Sequence, residues 1–520
     1  MLKAEYYSAP SELEVRIFEK LIPAEHYLRK LKAAIDFAPV RALVAEWYAT
    51  GMGAPAEDPV RLMKLSLLQF HYDLSDSQVI RQAQVNVAFR FFLEVSVESA
   101  VPVPSLLSQF RTRLGSERFT RVFDEIVRQA RVHGLVKDRL RLKDATHVIA
   151  NVAIPSTIRL VAQARERVLT AAECFAALEV ATKRQEMAAL RQTTADLSEE
   201  QRLVARVAYL REVVVWGEQW QQRLDAAAQT AHPVATEEQV TAFAAALKLA
   251  HQGLNDREPD AKDKLRSLGE PEVRTGKHGD YYDGDTLDVS MDADSEILCA
   301  LDVLPANGDE AANATALITS EETAQGNDIA SLSMDRIGYR GDRLAALSEA
   351  EDGPQLTVYV PPIDWKTTNP ELFAPAAFTL NETQDEVCCP GGVTSRRRKR
   401  TRHGHGWQFR FRAAQCRGCP LRAQCVSPHP RGGRTVTKSD DETQYQAAQQ
   451  LAQTPAYRAV RREHPRIERK LAELVRWHGA RRVRYRGRVR VKIQYLLTAV
   501  VVNCKRIVTL LSLPVHPQFA

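Results

Sequence analysis

Apolar residues recur at helical spacing through DPVRLMKLSLLQFHYDLSDSQVIRQAQVNVAFRFFLEV (58–95). A stripe of that kind is what a helix needs to bury one face. The stripe breaks at LSDSQV, where Ser75 or Asp76 is placed to cap a second helix. PSLLSQFRTRLG (104–115) continues the pattern with Gly115 as its stop, so residues 1–135 read as helical. Helix, short turn, helix is the plan of helix-turn-helix readers of DNA, and equally of any helical bundle.

At RLRLKDATHVIAN (139–151) the period changes to two and then runs apolar, which predicts a strand ending near Asp144 to Ile149. Helical spacing returns over 158–270, as in EEQRLVARVAYLREVVVWGEQWQQRLDAAA (199–228). This is a helical insertion whose plain role is packing or self-association. DTLDVSMDAD (285–294) and EILCALDVLPAN (296–307) predict a hairpin, and DEAANATALITSEET (309–323) a helix. DIASLSMDRIGY (328–339) predicts a strand leaving Asp335 at its end, and LTVYVPP (356–362) another, closed by prolines. After a long irregular stretch, helical spacing resumes over about 440–513. The order strand, hairpin, helix, strand, strand, helix predicts an α/β core around a mixed sheet, interrupted by two large insertions.

Composition changes this picture little. The chain has 520 residues, 44% hydrophobic and 26% charged, which excludes a disordered chain and leaves room for two or three cores. No apolar run reaches the roughly 18 residues of a membrane span. YLLTAVVVNC (495–504), followed by Lys505 and Arg506, reads as a buried helix. MLKAEYYSAPSELEV carries no apolar signal segment, so a cytoplasmic protein without a membrane partner is expected.

Charge changes it more. The net +6 is unevenly spread: acid dominates SMDADSEILCALD (290–302), while SRRRKRTRHGHGWQFRFR (395–412) and RWHGARRVRYRGRVRVK (476–492) contain no Asp or Glu. Two acid-free runs with interleaved aromatics suit a polyanion, whose phosphates the guanidiniums neutralise and whose bases the rings stack on. Arg396, Arg397, Arg398, Lys399 and Arg400 are candidate DNA contacts, as are Arg481, Arg482, Arg484 and Arg486. The plain alternative is a solvated basic face.

Four of the eight cysteines cluster with a fifth beside them, in CCPGG (388–392) and CRGCPLRAQC (416–425). Cys416-x-x-Cys419 folds two sulfurs onto one ion, Cys425 reaches the same ion, and Cys388 or Cys389 completes a tetrahedral zinc site of four thiolates. Cys389 is preferred, because the Cys-Pro-x-Gly turn tucks its sulfur inward; His403 and His405, set among arginines, are the substitutes. Four thiolates leave no open position for substrate, so such a zinc is structural. A redox Cys-x-x-Cys expects a thioredoxin-like βαβ setting, which is missing, and a disulfide suits a cytoplasmic chain badly.

Metal-dependent phosphoryl chemistry needs carboxylates converging on Mg2+ ions about 4 Å apart. Asp144 in KDATHV and Asp335 in SMDRIGY fall near strands, and Glu468 in HPRIERKLAELVRWHG lies on a late helix. Any one of them also reads as a turn former or cap.

Taken in order, these segments resemble the DDE transposases of bacterial insertion sequences, in the branch with an InsH-like N-terminal domain. The residues 58–95 are similar to that N-terminal domain, and PVPSLLSQFRTRLG to its closing signature. KDATHVIANV resembles the first-Asp motif, with Thr146, His147 and Asn151 in place, and MDRIGYRGD the second. LDVSMDADSEILCALDVLPANGDEA is similar to the hairpin and following helix, with its Pro-Ala-Asn turn. CPGG with CRGCPLRAQC resembles a zinc-ribbon-like insert. RIERKLAELVRWHGARRVRYRG, then Gln494, Asn503 and CKR, resembles the Glu-containing C-terminal block.

The resemblance implies an α/β fold: an RNase H-like mixed-sheet catalytic core with a helical N-terminal domain, a helical insertion and a small four-cysteine zinc-ribbon-like insert. The implied parts are 1–135, helical and DNA-binding; 136–157 and 271–365, the two pieces of the core; 158–270, the helical insertion; 366–435, the basic insert; and 436–520, helices completing the core. It implies Asp144, Asp335 and Glu468 as ligands of two Mg2+ (or Mn2+) ions, the two Asp sharing one ion and Glu468 holding the other. The implied reaction is hydrolysis at the terminal inverted repeats, then joining of the 3′ ends to target DNA. A homodimer on DNA and a nucleoid-associated location follow. No covalent enzyme intermediate is implied, so Tyr339 is not needed as a nucleophile.

The related Tyr-Arg-Glu-Lys pattern places Arg four residues before the Glu and Lys seven after, where this chain has His464 and Val475, with Arg466, Arg469 and Lys470 close by. Glu463 and Glu473 therefore stay open as alternatives to Glu468. A second reading is a catalytically inactive DNA-binding protein derived from a transposase. A third is an unrelated metal-dependent hydrolase, in which the three acids would not meet.

Overall fold

A computed structural model describes residues 2, 10–48, 56–227, 234–258, 260–261, 263–350, 353–363, 371–381, 383–402, 404–427 and 432–512. His403 lies outside the described residues. The molecule is mixed α/β, with a helical N-terminal region and a mixed sheet.

The sheet is built from β1 (Arg141–Ile149), β2 (Arg274–His278), β3 (Asp280–Asp292), β4 (Leu298–Pro305), β5 (Ser331–Ser333) and β6 (Thr357–Tyr359). β1 lies at its centre. On one side it pairs antiparallel with β3, from Arg141 opposite Asp292 to Ile149 opposite Gly284. On the other it runs parallel to β5, which runs parallel to β6. The expected hairpin is β3 and β4, with a register shift at Ser290 and Met291. Gly284 is required where β3 crowds β1: a Cβ there would stand 1.9 Å from the Val148 carbonyl oxygen.

Two strand expectations change in detail. Asp144 sits inside β1, not at its end. The strand expected over 328–339 is only Ser331–Ser333, after which Asp335 precedes a short 3-10 turn, Arg336–Gly338.

The helical expectations hold. Ser75 caps the helix Asp76–Val85 through a reciprocal pair of bonds with Gln78, which turns the chain after the helix Pro59–His71. Gly115 ends one helix as expected: the backbone leaves helical geometry there at φ 65, and a second helix follows at once to Val132. Glycine alone adopts that angle without steric cost.

YLLTAVVVNC lies, as expected, buried within a helix, Arg488–Ser512, which is long enough to be compared with a membrane span. By length and composition it is apolar enough to cross one. Its apolar circumference has another explanation in the fold. Val491, Tyr495, Val502 and Ile507 are buried in one core shared with Leu28, Leu68, Phe119 and Val127 of the N-terminal helices and Val289 and Leu301 of the sheet. A helix covered on all sides has no polar face to keep.

Two further segments carry cores of their own. Helices Thr157–Thr193, Glu199–Ala227 and Glu237–Asn255 close around Val168, Leu210, Phe243 and Leu247. The cysteine-bearing segment folds two small three-stranded sheets around Phe378, Phe409, Phe411 and Val436, its last strand running Thr435–Lys438. Helices Pro455–Glu463 and Pro465–Trp477 then return the chain to the sheet, where Ile467 and Leu474 join the main core.

Candidate active site

Parallel pairing of β1 with β5 sets Leu142 opposite Ser333. Two residues further along each segment come Asp144, within β1, and Asp335, in the chain just past the end of β5. Burial pushes the Asp144 carboxyl up to about 7; the charges of Asp335 and Glu310 add to this, while the Ala145 N–H and Lys143 oppose it. Carboxylates crowded where water is scarce resist joint ionisation, and a cation between them removes that resistance.

Asp335 is held from the other side by His464, at the junction of the helices Pro455–Glu463 and Pro465–Trp477. The His464 Nε2 stands 3.0 Å from Asp335 Oδ1 and its Nδ1 stands 3.1 Å from Ser333 Oγ. Arg461 donates from Nη1 to Ser333 Oγ at 3.2 Å and to the Met334 carbonyl at 3.0 Å. The hydrogen bond from His464, joined by the charge of Arg461, holds the Asp335 carboxyl below the usual range.

Glu468 follows His464 by one helical turn and shares its face. Among the described residues, one ligand atom each from Asp335, His464 and Glu468 lie within 4.8 Å of one another. Glu468 also sits in the first turn of its helix, where the backbone dipole favours a carboxylate. The alternatives are engaged elsewhere. Glu463 pairs with Arg139 at 2.8 Å and Arg466 at 3.4 Å, and Glu473 pairs with Lys470 at 2.8 Å.

Three neighbours escape sequence reasoning. Glu310, at the start of the helix Glu310–Gln325, adds its charge to Asp144; Lys143, buried, pairs with Asp288 at 2.7 Å. In the sequence His464 stands out only as a departure from an arginine. Its spacing of four from Glu468 is the one signal that points to a shared face.

The cysteines converge more loosely. A Cβ on Gly391 would lie 3.2 Å from Cys419 Sγ and 3.7 Å from Cys389 Sγ, so both sulfurs flank one turn. Burial raises the Cys425 thiol; Arg434 opposes this, and Cys416, Cys389 and Cys419 add to it. Cys388 directs its thiol instead to the Cys389 carbonyl at 3.5 Å. His405 is exposed.

The two basic runs differ. Arg396, Arg397, Arg398, Lys399 and Arg400 are all exposed. Arg398 and Arg400 stack on Trp407 at 4.2 and 4.5 Å, while Arg396 pairs with Glu386 at 3.1 Å and Arg400 with Asp440 at 2.6 Å. In the later run, Arg481 donates to the His147 carbonyl and Arg486 to the Asn151 carbonyl at 3.4 Å. Arg484 pairs with Asp73 and donates to the Leu74 carbonyl at 3.3 Å; Arg482 forms a bridge with Ile149. That run fastens a loop to the end of β1 and to the N-terminal helices.

Comparison with known proteins gives two matches. Residues 16–113 match the family model described as Transposase domain (DUF772), and residues 388–508 match the one described as Transposase DDE domain. The second spans the cysteines and Glu468; Asp144 and Asp335 lie between the two matches. No curated protein and no solved structure matches the chain.

Proposed function

We propose that this chain, which its two family matches support as a DDE transposase of the insertion-sequence type, cleaves phosphodiester bonds at the ends of an insertion sequence and joins the 3′ ends to target DNA. A DDE domain implies use of a divalent metal, typically Mg2+, and a transposase domain implies a DNA substrate. The observation that carries the finer reading is that Asp335, just past β5, acts by its charge on Asp144 in the neighbouring β1 and groups with Glu468. On this reading the sheet, with β1 at its centre, is an RNase H-like core made of 136–157 and 271–365. Residues 436–520 complete it, 158–270 and 366–435 are inserts, and 1–135 bind DNA.

The residues present fit the metal. Asp144, Asp335 and Glu468 offer oxygen alone, the donor that Mg2+ and Mn2+ prefer. Bound there, two such ions supply Lewis-acid stabilisation to the attacking and leaving oxygens of an in-line displacement. Asp144, inside the central strand β1, and Asp335, just past β5, would hold their side of the site. Glu468 closes it from a helix whose Ile467 and Leu471 are buried in the main core.

Cys389, Cys416, Cys419 and Cys425 would hold a structural Zn2+, whose closed thiolate shell would fasten the insert. The exposed Arg396, Arg397, Arg398, Lys399 and Arg400 then meet DNA phosphates, and Trp407 stiffens that face. Of the later run, Arg482 and Arg486, which are exposed, would also meet DNA, while Arg481 and Arg484 are engaged in fastening the loop. Processing two terminal repeats suits a homodimer on DNA, in the cytoplasm at the nucleoid.

The test is incubation with linear DNA bearing the element's terminal repeats, in Mg2+ or in EDTA. Wild type nicks or joins those ends only with Mg2+, and Asp335→Asn binds them without cleaving. Equal cleavage by the variant defeats the mechanism. Binding without cleavage by wild type favours the inactive DNA-binding derivative.

A further inference from the structure

The group formed by Asp335, His464 and Glu468 has the composition of a metal site with a nitrogen ligand. The hydrogen bonds around His464 argue otherwise. A guanidinium has no lone pair to offer, so Ser333 Oγ must accept from Arg461 Nη1 at 3.2 Å. Ser333 is fully buried and His464 is 1% exposed, so their protons find partners inside the protein or nowhere. The serine proton has His464 Nδ1, at 3.1 Å, as its acceptor. That leaves the imidazole proton on Nε2, which donates to Asp335 Oδ1 at 3.0 Å. Every donor in the chain Arg461, Ser333, His464, Asp335 is then matched by an acceptor.

We infer that His464 is a positioning residue, locked by Arg461 and Ser333 in the tautomer that donates to Asp335, and not a metal ligand. This rests on the carboxylate site proposed above. Both ring nitrogens are used: Nδ1 accepts and Nε2 carries the proton, so neither has a lone pair for an ion. The bond fixes one Asp335 oxygen and leaves Oδ2 as the one free to turn toward a cation. A histidine that orients a carboxylate ligand by donating to it is the converse of the familiar pair in which a carboxylate orients a ligating histidine. Its position also links the two halves of the site. His464 is one turn before Glu468, so the same helix that brings the third carboxylate brings the clamp for the second.

The probe is Mn2+ alone, titrated into the full chain and read by electron paramagnetic resonance. Wild-type protein is expected to show bound Mn2+ without nitrogen hyperfine coupling from His464. His464→Ala is expected to weaken Mn2+ binding about 10- to 100-fold, the usual effect of losing an orienting partner. His464→Gln, which restores an N–H at similar reach, recovers most of that loss. Ser333→Ala, which frees the ring to take the other tautomer, weakens binding less than His464→Ala does. Should His464→Ala fail to fold, as judged by circular dichroism, Ser333→Ala and His464→Gln carry the test.

Nitrogen coupling in wild type that disappears in His464→Gln overturns the inference, because His464 is then a ligand. Unchanged Mn2+ affinity in His464→Ala or, if that variant is unfolded, in Ser333→Ala, overturns it as well. Failure of the underlying site looks different: Asp335→Asn and Glu468→Gln would then both leave Mn2+ binding intact.

Discussion

Asp144 and Asp335 each stand two residues past the Leu142–Ser333 pair that joins two parallel strands. Their neighbourhood costs the protein stability when no cation is present, since burial and the charges of Asp335 and Glu310 hold the Asp144 carboxyl up at about 7. Asp144→Asn removes one charge and keeps the acceptor for the Ala145 N–H. In EDTA the variant is expected to be more stable at neutral pH, on the order of 1–3 kcal/mol. DNA cleavage in Mg2+ is expected to vanish. Calorimetry of both proteins in EDTA checks the first part; a lower melting temperature for the variant would show that the carboxylate is not strained by its neighbours.

The two basic runs should separate in salt titrations. Arg397→Ala and Lys399→Ala are each expected to flatten the plot of log affinity against log salt by about one unit, with melting temperature unchanged. Arg484→Ala breaks the tie to Asp73 and Leu74 and is expected to cost about 1 kcal/mol, discounted because Asp73 is exposed. Its salt slope should stay near that of wild type. If Arg484→Ala flattens the slope as Arg397→Ala does, the loop contacts DNA too.

Purified protein should carry about one zinc per chain by atomic emission. The insert's own core is small, resting on Phe378, Phe409, Phe411 and Val436. Cys416→Ser should therefore open the segment 371–438 to proteases while the sheet and N-terminal helices stay protected. Zinc-free wild type with a resistant insert would refute the thiolate clasp.

Acid should weaken the junction between the N-terminal helices and the C-terminal block. His71 and His478 are both held near 4, chiefly by burial and next by the charge of Lys505. Between about 4 and 6.5 the unfolded chain binds protons that the folded chain refuses, so stability rises with pH across that window and levels off above it. Each histidine contributes up to about 3 kcal/mol to the rise. His71→Phe keeps a ring stacked on Tyr27, now 4.4 Å away, and cannot titrate. Melting temperatures from about pH 4.5 to about pH 7.5 should climb less steeply in that variant than in wild type. Parallel profiles would remove His71 from the account.

How much of this is legible in the sequence follows the range of the forces involved. The helical stripes, the Ser75 cap and the hairpin at β3 and β4 depend on residues close in sequence, and they are readable. Gly115 is readable as a break, but that a second helix starts at once depends on what lies beneath it. Asp144, Asp335 and Glu468 come from resemblance, and the grouping of Glu468 with Asp335 and His464 depends on long-range packing that no local pattern encodes. Glu310 and the role of His464 are purely tertiary. The run from Arg481 to Arg486 shows a further limit: a cluster of guanidiniums has the same composition whether its acceptors are phosphates or the protein's own carbonyls.

The helix Arg488–Ser512 fills the core of helices that end at Val132. During translation, at roughly 5–20 residues per second, those first helices therefore wait on the order of tens of seconds for their packing partner. Glu468 is also made late in that interval. A nascent chain thus gains its finished N-terminal fold and its third carboxylate almost together, and a ribosome-bound fragment holds neither.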